Sequence, residues 1–248
     1  MDNYVGTAMT AILLTRPEPD ASRLASLLRR DLRGVHVEVS PLQRIRFTGT
    51  TAEAGPDTRL IFTSRNGLRA WHDAGGPPLP CYCVGHDTWA MARDMGHQAT
   101  SANGRAEDLL HLLLDTRPDA PLLHVHGTHH RGNIAARLCR AGLNARGVAM
   151  YDQRAIALTP AALTLLGGGT PVVVPLYSPR SAKLFRDAGI GDAPLFIGAI
   201  SPSLEEEIQA IPAIMRLIAD RPDSAGMLTC IKGLLAAARQ LEAGRGGR

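Results

Sequence analysis

The feature that most constrains this chain is a phrase written twice: an apolar strand, a turn of small hydroxylated residues, then a helix-like stretch. Leu60-Ile61-Phe62-Thr63-Ser64-Arg65-Asn66-Gly67-Leu68 is echoed by Val173-Val174-Pro175-Leu176-Tyr177-Ser178-Pro179-Arg180-Ser181-Ala182. Further on, Val84-Gly85-His86-Asp87-Thr88-Trp89-Ala90 is answered by Ile197-Gly198-Ala199-Ile200-Ser201-Pro202, and residues 100–110 by residues 219–228. Three matched elements in one order indicate an internal duplication. Two copies make two similar lobes, not a solenoid. A chain of 248 residues has room for two domains of roughly 100–150 residues each.

Local patterning gives the class of each lobe. Ile12-Leu13-Leu14-Thr15 is a short apolar run stopped by Arg16-Pro17, and Leu24, Leu27, Leu28 and Leu32 follow at helical spacing. Val35, Val37 and Val39 alternate with polar residues, the pattern of a half-buried strand. Leu60-Ile61-Phe62-Thr63, Cys81-Tyr82-Cys83-Val84 and Leu122-Leu123-His124-Val125 each precede a polar turn and a helix-like stretch. Strands alternating with helices mean βα units and largely parallel sheets. The first βα unit, residues 11–41, has no counterpart in the first half of the chain. The economical arrangement therefore starts in one lobe, crosses to the other and returns. Residues 11–41 with 157–248 form one discontinuous lobe, residues 42–156 the other, and crossing strands near 39–47 and 148–156 pair as a hinge.

Composition narrows the function. The net charge of +4 is mild and aromatics are 4% of residues, with no basic–aromatic stretch on which bases would stack. A basic cleft for an anionic small molecule fits at least as well as nucleic acid. No apolar run approaches the ~20 residues of a membrane span, no signal peptide is evident, and the four cysteines show no disulfide framework. Cys81 and Cys83 read as buried small hydrophobes, and the cytoplasm is the expected compartment. Nucleotide loops of the GxxxxGK[ST] and GxGxxG types are absent, as are the GxSxG elbow and the S-x-x-K pair. His124, His126, His129 and His130 cluster without acidic or thiol companions, so they are read as surface or cleft histidines and no metal is expected.

The polar strand ends are the candidate site. Where a strand runs into a helix N-terminus, unpaired N–H groups and the helix dipole favour carboxylate or phosphate. In open α/β sheets ligands bind at the carboxyl ends of strands. Thr63-Ser64, Gly85 to Thr88, Gly127-Thr128, Ser178 and Gly198 to Ser201 are such cradles, although the same hydroxyls serve as ordinary helix caps. Arg16, Arg65, Arg131 and Arg180 stand near strand ends, where a guanidinium either binds carboxylates bidentately or is plain solvated surface charge, the latter expected for at least half of them. Cradles on two lobes around one cleft suit a ligand with many negative groups. Tyr151, one of four tyrosines, lies in the second crossing strand, where its hydroxyl either faces that cleft or the ring packs as an ordinary strand residue.

Taken in order, these phrases resemble the uroporphyrinogen-III synthase family over residues 12–235. The signals are Leu14-Thr15-Arg16-Pro17, Ile61-Phe62-Thr63-Ser64-Arg65-Asn66-Gly67, Val84-Gly85-His86-Asp87-Thr88-Trp89-Ala90, Tyr151 in its strand, Ser178-Pro179 and Ile197-Gly198. The resemblance implies two flavodoxin-like parallel-sheet lobes joined by a two-stranded linker, working without cofactor or metal. It implies cyclisation of hydroxymethylbilane with loss of water and inversion of the terminal pyrrole ring, by way of an azafulvene and a spiro intermediate. Tyr151 matches the family's tyrosine and becomes the candidate proton donor, with a phenol pKa near 10. Thr88 and Ser201 match the hydroxyls of the two turns, and Ser64 and Ser178 match the binding serines. Arg16, Thr63, Arg65, Gly85, Gly127, Arg131 and Gly198 complete the expected substrate contacts. Two departures stand out: Pro202 follows Ser201, and His126 stands where arginine is common. A monomer is expected, with transient contact to the enzyme that makes the bilane. The alternative is a non-catalytic two-lobed sensor of tetrapyrroles or anions.

Overall fold

The computed structural model describes residues 10–129 and 132–246, the side chains of the last two excepted. Contacts divide the chain into two compact units, residues 1–44 with 155–248 and residues 45–154. The boundaries fall inside two strands, β3 (Gln43–Phe47) and β8 (Ala145–Ala155). These two are neighbours in one sheet order. Ile156 N–H bonds to Leu42 C=O and Thr48 N–H to Met150 C=O, so the residue numbers run in opposite senses and the pair is antiparallel.

The first unit carries a five-stranded sheet of β1 (Ala11–Leu14), β2 (His36–Val39), β9 (Val172–Leu176), β10 (Leu195–Ala199) and β11 (Met215–Ile218), in the order β11-β10-β9-β1-β2. Every adjacent pair is parallel. A parallel sheet buried on both faces needs apolar residues at successive positions, and Val172–Leu176 and Leu195–Ala199 are buried throughout. Alternate side chains go to opposite faces. Leu13, Val172, Val174, Leu195 and Ile197 pack with α6 (Pro160–Leu166) and α7 (Pro179–Asp187). Ile12, Leu14, Val37, Val173 and Phe196 pack with α1 (Asp20–Asp31) and α9 (Ser224–Gly246).

The second unit repeats the plan with β4 (Arg59–Phe62), β5 (Cys81–Cys83), β6 (Ala99–Ser101) and β7 (Leu122–Gly127), giving the order β3-β8-β7-β4-β5-β6. The β4–β5, β4–β7, β5–β6 and β7–β8 pairs are parallel. One face carries α2 (Arg65–Asp73) and α3 (His86–Asp94), with Phe62, Trp71, Cys83 and Val125 in the core. The other carries α4 (Ala106–Thr116) and α5 (Ile134–Arg140), with Ile61, Tyr82 and Leu122. Cys81 and Cys83 are buried, their sulfurs 3.9 Å apart on one face of β5.

Comparing the two orders accounts for the leftover βα unit. From β9 and β4 outward, β10 and β11 correspond to β5 and β6, while β1 and β2 correspond to β7 and β8. The N-terminal unit therefore does have a counterpart, β7-α5-β8. It comes last in one unit and first in the other, which hides the match in the linear sequence. Register corrects a second alignment. With Ser64 set on Ser178, Phe62 lies on Leu176; Phe62 pairs with Cys83 and Leu176 with Ala199. Two residues further on, Gly85 corresponds to Ser201, not to Gly198.

Candidate active site

In the second unit the ends of β4 and β7 meet the middle of β8 at Tyr151. Ser64 follows β4 in extended conformation and caps α2, its Oγ accepting from the Gly67 N–H at 3.4 Å. This is what an Ncap serine does. The same Oγ lies 2.9 Å from the Tyr151 hydroxyl, which arrives from β8. Strand β7 makes room for the ring. Its register shifts between His126 and Gly127, Gly127 pairs with Tyr151, and a Cβ at position 127 would lie 2.6 Å from the ring Cε2. Tyr151 is only 3% exposed. Burial raises the phenol pKa above its ordinary value of about 10, and hydrogen bonds with Ser64 and the Gly127 backbone pull it partly back. The phenol is thus a weaker acid than an ordinary one.

Around this centre, Thr63 Oγ1 is 3.5 Å from His124 Nε2. His124 is 2% exposed and its ring lies 4.9 Å from that of His126, so the alternation on β7 does put both on one face. The surface or cleft reading is wrong for His124, which is buried in the sheet. His126 is half-buried and donates from Nδ1 to the Gly127 carbonyl at 2.8 Å; His129 is exposed. The Thr128 N–H bonds to the Tyr151 carbonyl, and its hydroxyl donates to Asp152 at 2.8 Å. That hydroxyl bond lowers the Asp152 pKa, with Arg154 helping. Arg65 opens α2 half-buried, Gly85 caps α3 with backbone alone, and Thr88 is buried in the first turn of α3. His130 and Arg131 lie outside the described residues. Among the described residues no three His, Cys, Asp or Glu side chains gather as metal ligands.

In the first unit the corresponding strand ends hold a different set. Ser178 caps α7, accepting from the Ser181 N–H, while the Ser181 hydroxyl answers the Ser178 N–H. Ser201 is 8% exposed, opens a 3-10 turn over Pro202–Leu204, and lies 2.8 Å from the Ser203 hydroxyl. Gly198 sits inside β10, where a Cβ would stand 3.2 Å from Cys230 Sγ and Leu234 Cδ1 of α9. Its place is a helix–sheet contact, so the expected turn beginning at Gly198 starts three residues later. Arg16 follows β1; it pairs with Asp20 at 3.3 Å and lies 4.1 Å over the Tyr177 ring. Tyr177 is not among the residues singled out from sequence. Its signal is the matched phrase itself, which sets it opposite Thr63.

The two units share a class, parallel α/β sheets with capped helix N-termini and polar strand ends. A model of the uroporphyrinogen-III synthase HemD family matches residues 22–229, most of the chain, and the chain belongs to that family. A uroporphyrinogen-III synthetase from Helicobacter pylori 26695 aligns at TM-score 0.64 and 14% identity, covering 91% of this chain and 100% of that one. A mutant uroporphyrinogen III synthase from the extremely thermophilic bacterium Thermus thermophilus aligns at TM-score 0.53 and 14% identity, covering 92% and 99%. No curated protein matches this sequence. The chain is an enzyme of tetrapyrrole biosynthesis, a lyase that cyclises hydroxymethylbilane.

Proposed function

We propose that Tyr151 is the proton donor of this cyclisation, held by Ser64 and Gly127. The observation that carries the reading is the 2.9 Å contact between Ser64 Oγ and the Tyr151 hydroxyl, on a ring seated over a glycine. Ser64 Oγ already accepts from the Gly67 N–H, so its own proton is best directed to the phenol oxygen. The phenol proton is then left for the departing hydroxyl of the bilane. A raised pKa keeps that proton in place across the neutral range. Loss of the hydroxyl gives the azafulvene; attack at the substituted carbon of the last ring gives the spiro intermediate. Bond cleavage and re-formation then invert that ring. Because the free bilane cyclises without inversion, control of conformation contributes more than acid strength.

The finer architecture belongs to the same proposal. The order β11-β10-β9-β1-β2 is 2-1-3-4-5 in chain terms, the flavodoxin-like order. The second unit is its cyclic permutation, and β3 with β8 forms the two-stranded linker between two such lobes. Arg16, Thr63, Arg65, Gly85, Thr88, Arg131, Ser178 and Ser201 are proposed to share the substrate's carboxylates. No described helix is long and apolar enough to cross a membrane; a cytoplasmic monomer in transient contact with the bilane-forming enzyme fits this chemistry. The test is incubation with freshly made hydroxymethylbilane, followed by separation of the type I and type III isomers. Type III product well above the uncatalysed background is expected. Type I alone, at the uncatalysed rate, would overturn the reading.

A further inference from the structure

We infer that Tyr177 is a positioning residue that holds Arg16 as a carboxylate receptor at the strand ends of the first unit. The inference rests on the proposed role of Arg16 and adds the residue through which that role is exercised. Arg16 leaves β1 just before Pro17, so its backbone direction is fixed by the strand and the proline. Its guanidinium carbon lies 4.1 Å from the centroid of the Tyr177 ring, the separation of a cation–π stack. One terminal nitrogen, Nη2, donates to Asp20 at 3.3 Å, and both side chains are largely buried, at 14% and 11% exposed. The Nε is buried without a hydrogen-bond partner among the described residues.

A guanidinium whose carbon sits over a ring and whose Nη2 is tied to a carboxylate has little rotational freedom left. Its remaining donors are therefore already aimed before a carboxylate arrives, and less side-chain entropy is lost on binding. The ring supplies this without placing a second anion beside the guanidinium. Asp20 alone would hold only one corner and would attract Arg16 away from any incoming anion. Tyr177 also sits one residue before the Ser178 cap of α7, and its N–H donates to Ser181 Oγ at 3.3 Å, which fixes its backbone.

Register shows that this arrangement is particular to one unit. Carrying the match of Ser64 with Ser178 one strand across, Arg59 pairs with Leu122 and Val173 with Ile12. Arg16 then corresponds to His126 and Tyr177 to Thr63. Neither of those is an arginine on an aromatic ring; His126 bonds to the Gly127 carbonyl, and Thr63 faces His124. The stack is therefore present in one unit and replaced in the other, at corresponding strand ends.

The test compares steady-state kinetics of type III formation in the wild type and in Arg16→Ala, Tyr177→Leu, Tyr177→Phe and the double variant Arg16→Ala/Tyr177→Leu. Leucine keeps apolar volume against the core while removing the ring, so folding is preserved, and thermal unfolding of each protein checks this. Tyr177→Leu is expected to raise KM roughly three- to tenfold with kcat within about twofold. Tyr177→Phe, which keeps the ring, should bring KM back to within about twofold of the wild type. In the Arg16→Ala background, adding Tyr177→Leu should change KM by less than about twofold, because the ring acts through the guanidinium. An unchanged KM in Tyr177→Leu, or an equal rise with and without Arg16, would overturn the inference while type III formation by the wild type still upheld the enzyme assignment. Failure of the wild type to form type III product would instead overturn the assignment.

Discussion

The strand ends of the two units start from one plan and end in opposite chemistries. In the second unit a phenol lies on a glycine and meets a serine that caps a helix. In the first, the glycine's place is taken by Pro17, the cap is Ser178, and the aromatic ring lies beneath an arginine. On the proposed reading, one end keeps a neutral proton donor in a dry setting and the other aims a cation. The difference teaches that one strand order serves both units, while the few residues after each strand set them apart. An asymmetric reaction on a polyanionic substrate, in which one ring is inverted and the others are held, has use for both.

The variant expected to break this contrast most forcefully is Gly127→Ala. Its added carbon would lie 2.6 Å from the Tyr151 ring, well inside contact distance, so the ring must move off its strand. Overpacking of this kind costs about 1–3 kcal/mol, and here it also displaces the phenol oxygen from Ser64. Both the unfolding midpoint and the rate should fall, the rate by at least as much as in Tyr151→Phe. A variant with unchanged rate would show that the ring's seat is irrelevant to catalysis.

Tyr151→Phe comes next. Phenylalanine keeps the packing of a residue only 3% exposed and removes the oxygen alone. General acid assistance is worth about 10²–10⁴-fold, and the expected loss is at or below the low end because the pyrrole nitrogen pushes the hydroxyl out. KM should change by less than about threefold, since a donor used mainly in the transition state affects rate more than binding. Initial rates with fresh bilane, together with the isomer ratio, decide it. A Phe variant with wild-type rate and pure type III product would make Tyr151 structural.

Gly198→Ala and Ser201→Ala sharpen the comparison from the other unit. The alanine at 198 meets Cys230 Sγ and Leu234 at 3.2 Å, so the neighbours must yield slightly. A stability loss of about 1 kcal/mol is expected with kcat and KM near wild type. Ser201→Ala should raise KM slightly and leave stability within about 1 kcal/mol, because the Ser201 hydroxyl meets Ser203 and caps no backbone group. If Gly198→Ala raised KM strongly at full stability, the turn expected from sequence would be restored.

That shift between Gly198 and Ser201 shows where sequence stops being legible. Strand and helix phrases can be read because parallel α/β packing demands apolar runs such as Val172–Leu176, and these are visible without partners. The parallel α/β class follows from them; the family rests instead on the resemblance of the turn phrases between them, such as Thr63-Ser64-Arg65-Asn66-Gly67. Register cannot be read, because a glycine after an apolar run looks alike inside a strand and at its end; only the pairing of Leu176 with Ala199 separates the two. The permuted counterpart β7-α5-β8 is hidden for a similar reason, since chain order and sheet order disagree. Ser64 and Tyr151 can be named as candidates, but their contact spans 87 positions and exists only once β4, β7 and β8 lie side by side. His124 shows the reverse error. A histidine beside a polar turn looks like a cleft group in sequence, whereas the sheet buries it against Thr63.

The smallest expected effect is in the alkaline pH dependence of stability, and it tests whether Tyr151 is dry. Burial raises its pKa above about 10, and the hydrogen bonds from Ser64 and the Gly127 backbone oppose that rise, so only the difference survives. A folded-state pKa raised above the unfolded one means that the native protein holds its proton more tightly. The contribution is then fully present below about pH 10 and is lost as the pH rises through the folded value, because the unfolded chain ionises first. Unfolding free energies of the wild type and Tyr151→Phe should therefore differ by a constant up to about pH 9, and the wild type's advantage should shrink above about pH 10. The remaining tyrosines are common to both proteins and cancel in the difference. Denaturant unfolding at a series of pH values measures it directly. A difference that stays level or grows through the alkaline range would mean that solvent or the two hydrogen bonds outweigh burial. The phenol would then be a stronger acid than proposed, and the contrast between a dry donor in one unit and an aimed cation in the other would have to be given up.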